Sequence, residues 1–426
     1  MNKMIITEWN GKILMAWLAD DRIVQLSLEE KEVSSVLNRI YIGKVKNIVN
    51  NISAAFVEFE GGQIGYYSLV DNKVHLFADG RSSALSAPSL EKSSRVKIGD
   101  EIIVQVARDS VKTKAPVLTS NLNFTGRYCV LTVGKNMVGF SGKITDGDWK
   151  ASVKPELEKI LEENETNTSF LSAADSPLPS MGVIVRTNAY EAGENVLFEE
   201  LTRLKEECIR LLSEARYRTC GSRLDRNYPV YAAALRDSYM GETDEIITDN
   251  TEILETLQEY MGEYQKEDIS HLRFYEDKLL PLSKLYNLEG AMEKALSPRV
   301  WLKSGGYLVI EPTEALTVID VNTGKYAGKK TLSETIFKIN MEAAVEVSRQ
   351  LRLRNISGII IVDFIDMEQE EQREKLLKFL RDLCRRDHIK TTVVDITPLN
   401  LVEITRKKVK RPLYEQAGKG MKGAAL

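Results

Sequence analysis

The stretch Ala315-Leu316-Thr317-Val318-Ile319-Asp320-Val321-Asn322 and its later counterpart Gly358-Ile359-Ile360-Ile361-Val362-Asp363-Phe364-Ile365 decide how this chain folds. Both are short apolar runs rich in β-branched residues, which predicts strands, and both carry an aspartate toward the end. Between them, Gly324 and Gly328 lead to Thr331 and Glu334, a T-x-x-E capping box that opens a helix. Ile336, Ile339, Ala343 and Val347 recur along that helix on one face. A charged helix and a further strand, Lys390 to Ile396, follow. The order β-α-β-α-β predicts an α/β domain over 293–403.

A helical crossover between two strands predicts that they run parallel. Asp320 and Asp363 then emerge at one edge of the sheet, where α/β folds place their sites. An unpaired, ionised Asp in a buried run costs several kcal/mol, so Asp363 must be protonated, paired or bound to a metal. Side chains alternate along a strand, which puts Asn322 on the face of Asp320 and Asp366 on the other face from Asp363. Two oxygen ligands completed by water suit magnesium, with manganese as a substitute. The plain alternative is two capped strand ends bonded to backbone N–H groups or to an arginine.

Working outward, residues 1–37 read as β-structure, with Lys12 to Leu18 and Ile23 to Leu28 flanking a hairpin turn at Asp20-Asp21. Two strands do not make a stable unit, so they must join a later segment. Five short strands within 38–120 predict a small closed barrel of the OB-fold type, with Ser82 to Ser94 as a surface loop. They are Ile40 to Val49, Ala54 to Phe59, Ile64 to Leu69, Glu101 to Ala107 and Pro116 to Leu122. Within 121–219, a strand from Gly182 to Thr187 precedes a long helix. Its Leu197, Leu201, Leu204, Cys208, Leu211 and Leu212 form one apolar face. Residues 220–292 are mixed, with a strand-like Glu245 to Thr248 and a helix from Asn250. The remainder, 404–426, reads as a basic, flexible tail. Its run from Arg406 to Arg411 either tracks a nucleic-acid backbone or is simply solvated.

Composition narrows the class further. A length of 426 residues exceeds one ordinary core, and 43% hydrophobic with 28% charged residues is a folded, globular balance. No run approaches the ~20 apolar residues of a membrane span, and the start lacks the pattern of a secretory signal. Cys129, Cys208, Cys220 and Cys384 are scattered and do not cluster with His75, His271 or His388. That spacing predicts neither a zinc site nor a disulfide scaffold, and a reducing cytoplasm fits. The net charge of −4 leaves nucleic-acid binding open, because local charge decides it.

The words Ser304-Gly305-Gly306-Tyr307-Leu308-Val309-Ile310, Thr313 to Asn322, Arg349 to Arg354 and Ile361-Val362-Asp363-Phe364-Ile365-Asp366-Met367 resemble the catalytic core of the ribonuclease E/G family. The likeness extends, more weakly, from residue 1 to about 412. It implies an α/β chain with an all-β insert. A ribonuclease-H-like subdomain (1–37 and 220–292) would be split by an S1-type OB-fold barrel (38–120) and a 5′-monophosphate sensor (121–219). A DNase-I-like catalytic subdomain (293–403) would follow. The implied activity is hydrolysis of single-stranded, A/U-rich RNA, with magnesium on Asp320 and Asp363 and Asn322 supporting the attack. Phe56 and Tyr66 would stack on bases, and Lys114 would meet the backbone. Gly126, Val130, Arg186, Thr187 and Lys390 would form the 5′ sensor. At Ser141-Gly142-Lys143 one basic residue of the family pattern is replaced by glycine, so one contact to the RNA end is lost. The C-P-x-C zinc link is absent after Arg411, which predicts a monomer or a different dimer in place of the zinc-linked tetramer. The alternative is an RNA-binding or ribosome-associated factor of the same fold that cleaves weakly or not at all.

Overall fold

A computed structural model describes residues 2–31, 36–79, 96–108, 115–163, 179–226, 228–236, 244–277, 279–324, 332–397 and 399–418. The chain forms two compact units, Met1–Glu32 with Tyr228–Leu426, and Val33–Asn227.

The first unit opens with three antiparallel strands, β1 (Asn2–Trp9), β2 (Lys12–Ala19) and β3 (Arg22–Glu30). Asn10-Gly11 and Asp20-Asp21 turn the chain with positive φ at both positions, the two-residue geometry that matches strand twist.

The second unit follows. Its strands β4 (Ile40–Val49), β5 (Ala54–Glu58), β6 (Ile64–Ser68), β7 (Glu101–Arg108) and β8 (Val117–Thr119) close a barrel in the order β4-β5-β6-β8-β7. Tyr41, Val57, Phe59, Tyr67, Ile102, Val104 and Leu118 fill it. A closed five-stranded barrel fits the expected OB-type insert. Beyond it come β9 (Asn123–Thr125), β10 (Cys129–Val133), β11 (Val138–Phe140), α1 (Gly147–Glu162), β12 (Met181–Val185), α2 (Asn188–Ala192) and α3 (Glu194–Glu214). The sheet order is β11-β12-β10-β9. The apolar face of α3 packs Leu197, Leu201, Leu204, Cys208 and Leu211 into one core with Leu131 and Val183. Asp146 caps α1 by accepting from the Trp149 N–H at 3.0 Å. At the other end, the buried Lys205 ammonium donates to the carbonyls of Ile160 and Glu163.

The first unit then resumes with α4 (Val230–Arg236), β13 (Glu245–Thr248), α5 (Thr251–Tyr264), β14 (Leu272–Phe274), α6 (Leu282–Leu285) and α7 (Leu288–Leu296). Strand β13 joins β1 in parallel, giving the sheet β14-β13-β1-β2-β3 and supplying the partner that the N-terminal hairpins need. Alternation along β1 and β2 serves both faces: Met4, Ile6 and Met15 pack with Ile253 and Leu257, and Ile5 and Leu14 with Leu288 and Met292.

Last come β15 (Arg299–Trp301), β16 (Tyr307–Pro312), β17 (Leu316–Asn322), α8 (Leu332–Leu353), β18 (Gly358–Asp363), α9 (Glu370–Arg385), β19 (Thr391–Ile396), β20 (Leu401–Arg406) and α10 (Leu413–Ala417). The sheet order is β15-β16-β17-β18-β20-β19. As the crossover requires, β17 and β18 are parallel neighbours. Strand β20 lies between β18 and β19, antiparallel to both. Two expectations are corrected here. The run from Ile359 is not buried throughout: Ile360 and Val362 are, whereas Ile359 is 51% exposed and Asp363 too is exposed, so burial alone does not force Asp363 to be protonated, paired or metal-bound. Residues 404–418 are not a flexible tail. Arg406 is buried and paired with Asp387, the carbonyls of Lys410 and Arg411 accept from Asn355, and Leu413 and Ala417 enter a core with Leu28 and Met292. Thr331 of the capping box, the Ser82 to Ser94 loop and the chain beyond 418 lie outside the described residues. Among the described residues, no helix is long and apolar enough to cross a membrane.

Candidate active site

Helices α8 and α9 both pack on one face of the six-stranded sheet, against Leu308, Ile319, Ile360 and Val402. The carboxylates stand on the other face. The register sets that face in three cross-strand rows. Trp301, Tyr307 and Asn322 form the first. Arg299, Val309, Asp320, Asp363 and Leu401 form the second. Glu311, Val318, Ile361, Glu403 and Asp395 form the third. Asp320 and Asp363 are therefore direct neighbours, with Asn322 one step along β17.

The Asn322 amide donates from Nδ2 to Asp320 Oδ2 at 2.7 Å, which orients that carboxylate. Asp363 is exposed at its strand end, yet the desolvation that remains there raises its carboxyl above the ordinary range, and the charges of Asp320 and then Asp366 add to this. Among the described residues neither Asp320 nor Asp363 makes an ion pair. Two like charges without a counter-charge are the electrostatic setting a divalent cation would relieve, and both donors are hard oxygens. The residues present fit such an ion. Asp366 lies past the end of β18, where its carboxylate accepts from Asn400 at 3.2 Å.

Local backbone chemistry fixes these strand ends. Gly324 has φ +60°, and a Cβ there would run into the Gly305 carbonyl. A Cβ on Gly306 would sit 2.8 Å from the Asn322 carbonyl. The Ser-Gly-Gly word thus lets the β15–β16 turn close on the end of β17. Glu342 of α8 holds the same turn, accepting from the Lys303 N–H at 2.6 Å. Asn340, fully buried on α8, donates to the Ile365 carbonyl at 2.7 Å and accepts the Ile365 N–H at 3.1 Å. It anchors the chain just past Asp363. Neither Glu342 nor Asn340 stood out in the sequence, although a polar residue within the apolar stripe of a helix is a usable signal.

In the second unit, Arg186 Nη1 donates to the Gly126 carbonyl at 2.7 Å, and the hydroxyls of Thr187 and Ser141 lie 2.9 Å apart. Val130 pairs with Ile184 on the sheet face opposite the buried Cys129 and Leu131. Glu200 went unread in the sequence, yet its buried carboxylate accepts the N–H groups of Arg127, Tyr128 and Cys129 at 2.7, 2.7 and 2.9 Å. It shapes the turn whose Gly126 carbonyl receives Arg186. Its place in the stripe between Leu197, Leu201 and Leu204 was the signal. On the barrel, Phe56 and Tyr66 pair across β5 and β6, half-buried, with ring centroids 6.3 Å apart. Phe56 therefore stands outside the barrel core. Lys114 lies outside the described residues, and Lys390 belongs to the first unit, exposed just before β19.

The ribonuclease E/G family model matches residues 123–409. Ribonuclease G of Escherichia coli (strain K12) is 30% identical over 411 residues, which cover 96% of this chain and 81% of that protein. This chain belongs to the ribonuclease E/G family. As a member it is an endoribonuclease, acting in RNA processing or decay. The family member is also similar to ribonuclease E of Nostoc sp. (strain PCC 7120), 32% identical over 385 residues, 89% of this chain and 52% of that protein. Ribonuclease G of Haemophilus influenzae is 30% identical over 389 residues, 91% of this chain and 76% of that protein.

Proposed function

We propose that this chain hydrolyses internal phosphodiester bonds of single-stranded, A/U-rich RNA at Asp320, Asn322 and Asp363, favouring 5′-monophosphorylated ends. The observation that carries this reading is the side-by-side pair Asp320 and Asp363, unneutralised among the described residues and held on the half-open face of the sheet. Asp320 and Asp363 would hold magnesium, or manganese in its place. A bound divalent ion supplies Lewis acidity toward a phosphoryl oxygen and eases ionisation of the attacking water. Asn322 keeps the Asp320 carboxylate in one orientation, so the pair is preorganised before RNA arrives. Asn340 and Glu342 hold the backbone on which the pair stands.

The remaining roles are part of the same proposal. The barrel acts as an S1-type grip, with Phe56 and Tyr66 stacking on bases and Lys114 meeting the backbone. Arg186 and Thr187, with Gly126 and Val130, take a 5′-phosphate, and Lys390 is a separate cationic contact to the RNA. The five- and six-stranded sheets would correspond to ribonuclease-H-like and DNase-I-like subdomains.

The test is cleavage of a short A/U-rich single-stranded RNA in magnesium and then in EDTA, with 5′-monophosphate and 5′-hydroxyl versions in parallel. Internal cuts that need magnesium and run faster on the monophosphate are expected. Asp320→Asn and Asp363→Asn should each lose roughly 100- to 1000-fold or more in cleavage, with RNA affinity within about twofold of wild type. Full activity in either variant would sink the site. Tight binding without cutting would assign the chain to the RNA-binding or ribosome-associated class.

A further inference from the structure

The row beside the carboxylates carries Trp301 and Tyr307, with Arg299 against both. Trp301 is 65% exposed on a three-residue edge strand, so the core does not account for it. Its ring centroid lies 5.2 Å from that of Tyr307, with the planes at 57°. The Arg299 guanidinium carbon is 4.7 Å from the Tyr307 centroid and 5.8 Å from that of Trp301. By register, Tyr307 stands directly opposite Asn322, and Trp301 is one strand further out. At about 4.8 Å between strands, Trp301 is roughly 10 Å from the strand of Asp320 and Asn322. The charge on this face is lopsided. Glu311, Glu403 and Asp395 make the far row acidic, whereas Arg299, at the outer end of the carboxylate row, carries its guanidinium over to the aromatic pair. A polyanionic strand crossing Asp320 and Asp363 is thereby directed over Trp301 and Tyr307.

We infer that Trp301 and Tyr307, braced by Arg299, are a stacking platform for the nucleobase adjoining the scissile phosphate. This rests on the proposed cleavage site and adds a substrate-positioning element to it. A flat, exposed indole tolerates any base, which suits cleavage without strict sequence. The guanidinium beside it meets the phosphate charge and holds the Tyr307 ring in place. Such a platform fixes the nucleotide next to the bond being cut, so the phosphorus is presented to the carboxylate pair in one pose.

The test reads binding by the full chain in EDTA, where nothing is cut. The probes are a short A/U-rich single-stranded RNA and copies with one abasic nucleotide at each position in turn. Trp301→Ala should weaken binding of the intact RNA roughly 5- to 150-fold, the span of one base–aromatic stack. Trp301→Phe should restore most of it, and Tyr307→Ala should weaken binding less. One abasic position should weaken wild type to the same degree yet leave Trp301→Ala indifferent. With magnesium added, that position should adjoin the cut bond. Equal affinity of wild type and Trp301→Ala for intact RNA would overturn the platform whether or not the chain cuts. Coupling to an abasic position remote from the cut would overturn its placement. Coupling without any cleavage would keep the stacking platform and sink the hydrolytic reading instead.

Discussion

The Asp363 carboxyl titrates above the ordinary range because it is partly desolvated at its strand end and because the like charges of Asp320, then Asp366, act on it. Its contribution to stability is therefore complete below about pH 3.9, the ordinary Asp value, and is lost as pH rises through the raised value in the fold. Asp320→Asn removes the nearer charge. In EDTA at pH 7, that variant should melt slightly above wild type, and the difference should vanish near pH 3. A thermal melt series across pH checks this; an equal or lower melting point at pH 7 would mean the pair is not electrostatically opposed. The carboxylates and Asn322 were legible in the sequence because strand alternation and strand ends obey local rules. Glu200 was not, since the N–H groups it accepts come from residues 71 to 73 positions away. Trp301 was not, since its meaning depends on which strand lies beside it.

Strand β20 shows the same contrast for a whole element. Leu401 to Arg406 alternates, with Val402, Ile404 and Arg406 all facing inward, but the basic residues after it disguise the strand as the start of a tail. What lets an arginine occupy an inward position is Asp387, whose carboxylate takes the Arg406 Nε–H at 2.8 Å. Burial works to raise the Asp387 carboxyl. The hydrogen bond and charge of Arg406, helped by the Ile389 N–H, outweigh it and leave the pKa below the ordinary value. The pair's stabilisation is thus present above about pH 3.9 and is lost as pH falls through that lower value. Asp387→Asn should strand the buried guanidinium and cost about 3–5 kcal/mol in denaturant unfolding at pH 7. The gap to wild type should narrow below pH 3. The six-stranded sheet was only partly legible for this reason: parallel β17 and β18 follow from the crossover, whereas a late strand slotting between them and β19 follows from a long-range ion pair.

At the scale of the molecule, the segment after β20 returns to the N-terminal sheet of its own unit. Gln416 accepts the Leu28 N–H at 2.7 Å and its carbonyl takes the Lys12 ammonium at 2.7 Å, while Leu413 is fully buried. Leu413→Ala should cost about 2–5 kcal/mol and speed limited proteolysis between 404 and 418; unchanged unfolding would mean that α10 is not docked. The same sheet has a consequence during synthesis. Strand β1 cannot take its parallel partner until β13 has left the ribosome, and the bond from the Asn2 N–H to Asp244 spans 242 positions of sequence. At about 5–20 residues per second, the first hairpins wait roughly 10–50 s with one strand edge open. During that interval the whole of Val33–Asn227 emerges and can fold as a unit of its own. A nascent-chain holdase, or slow pairing of that open edge with a neighbouring nascent chain, would act in this window. Yield on expression should therefore respond to changes on β1 more than its share of the finished core would suggest.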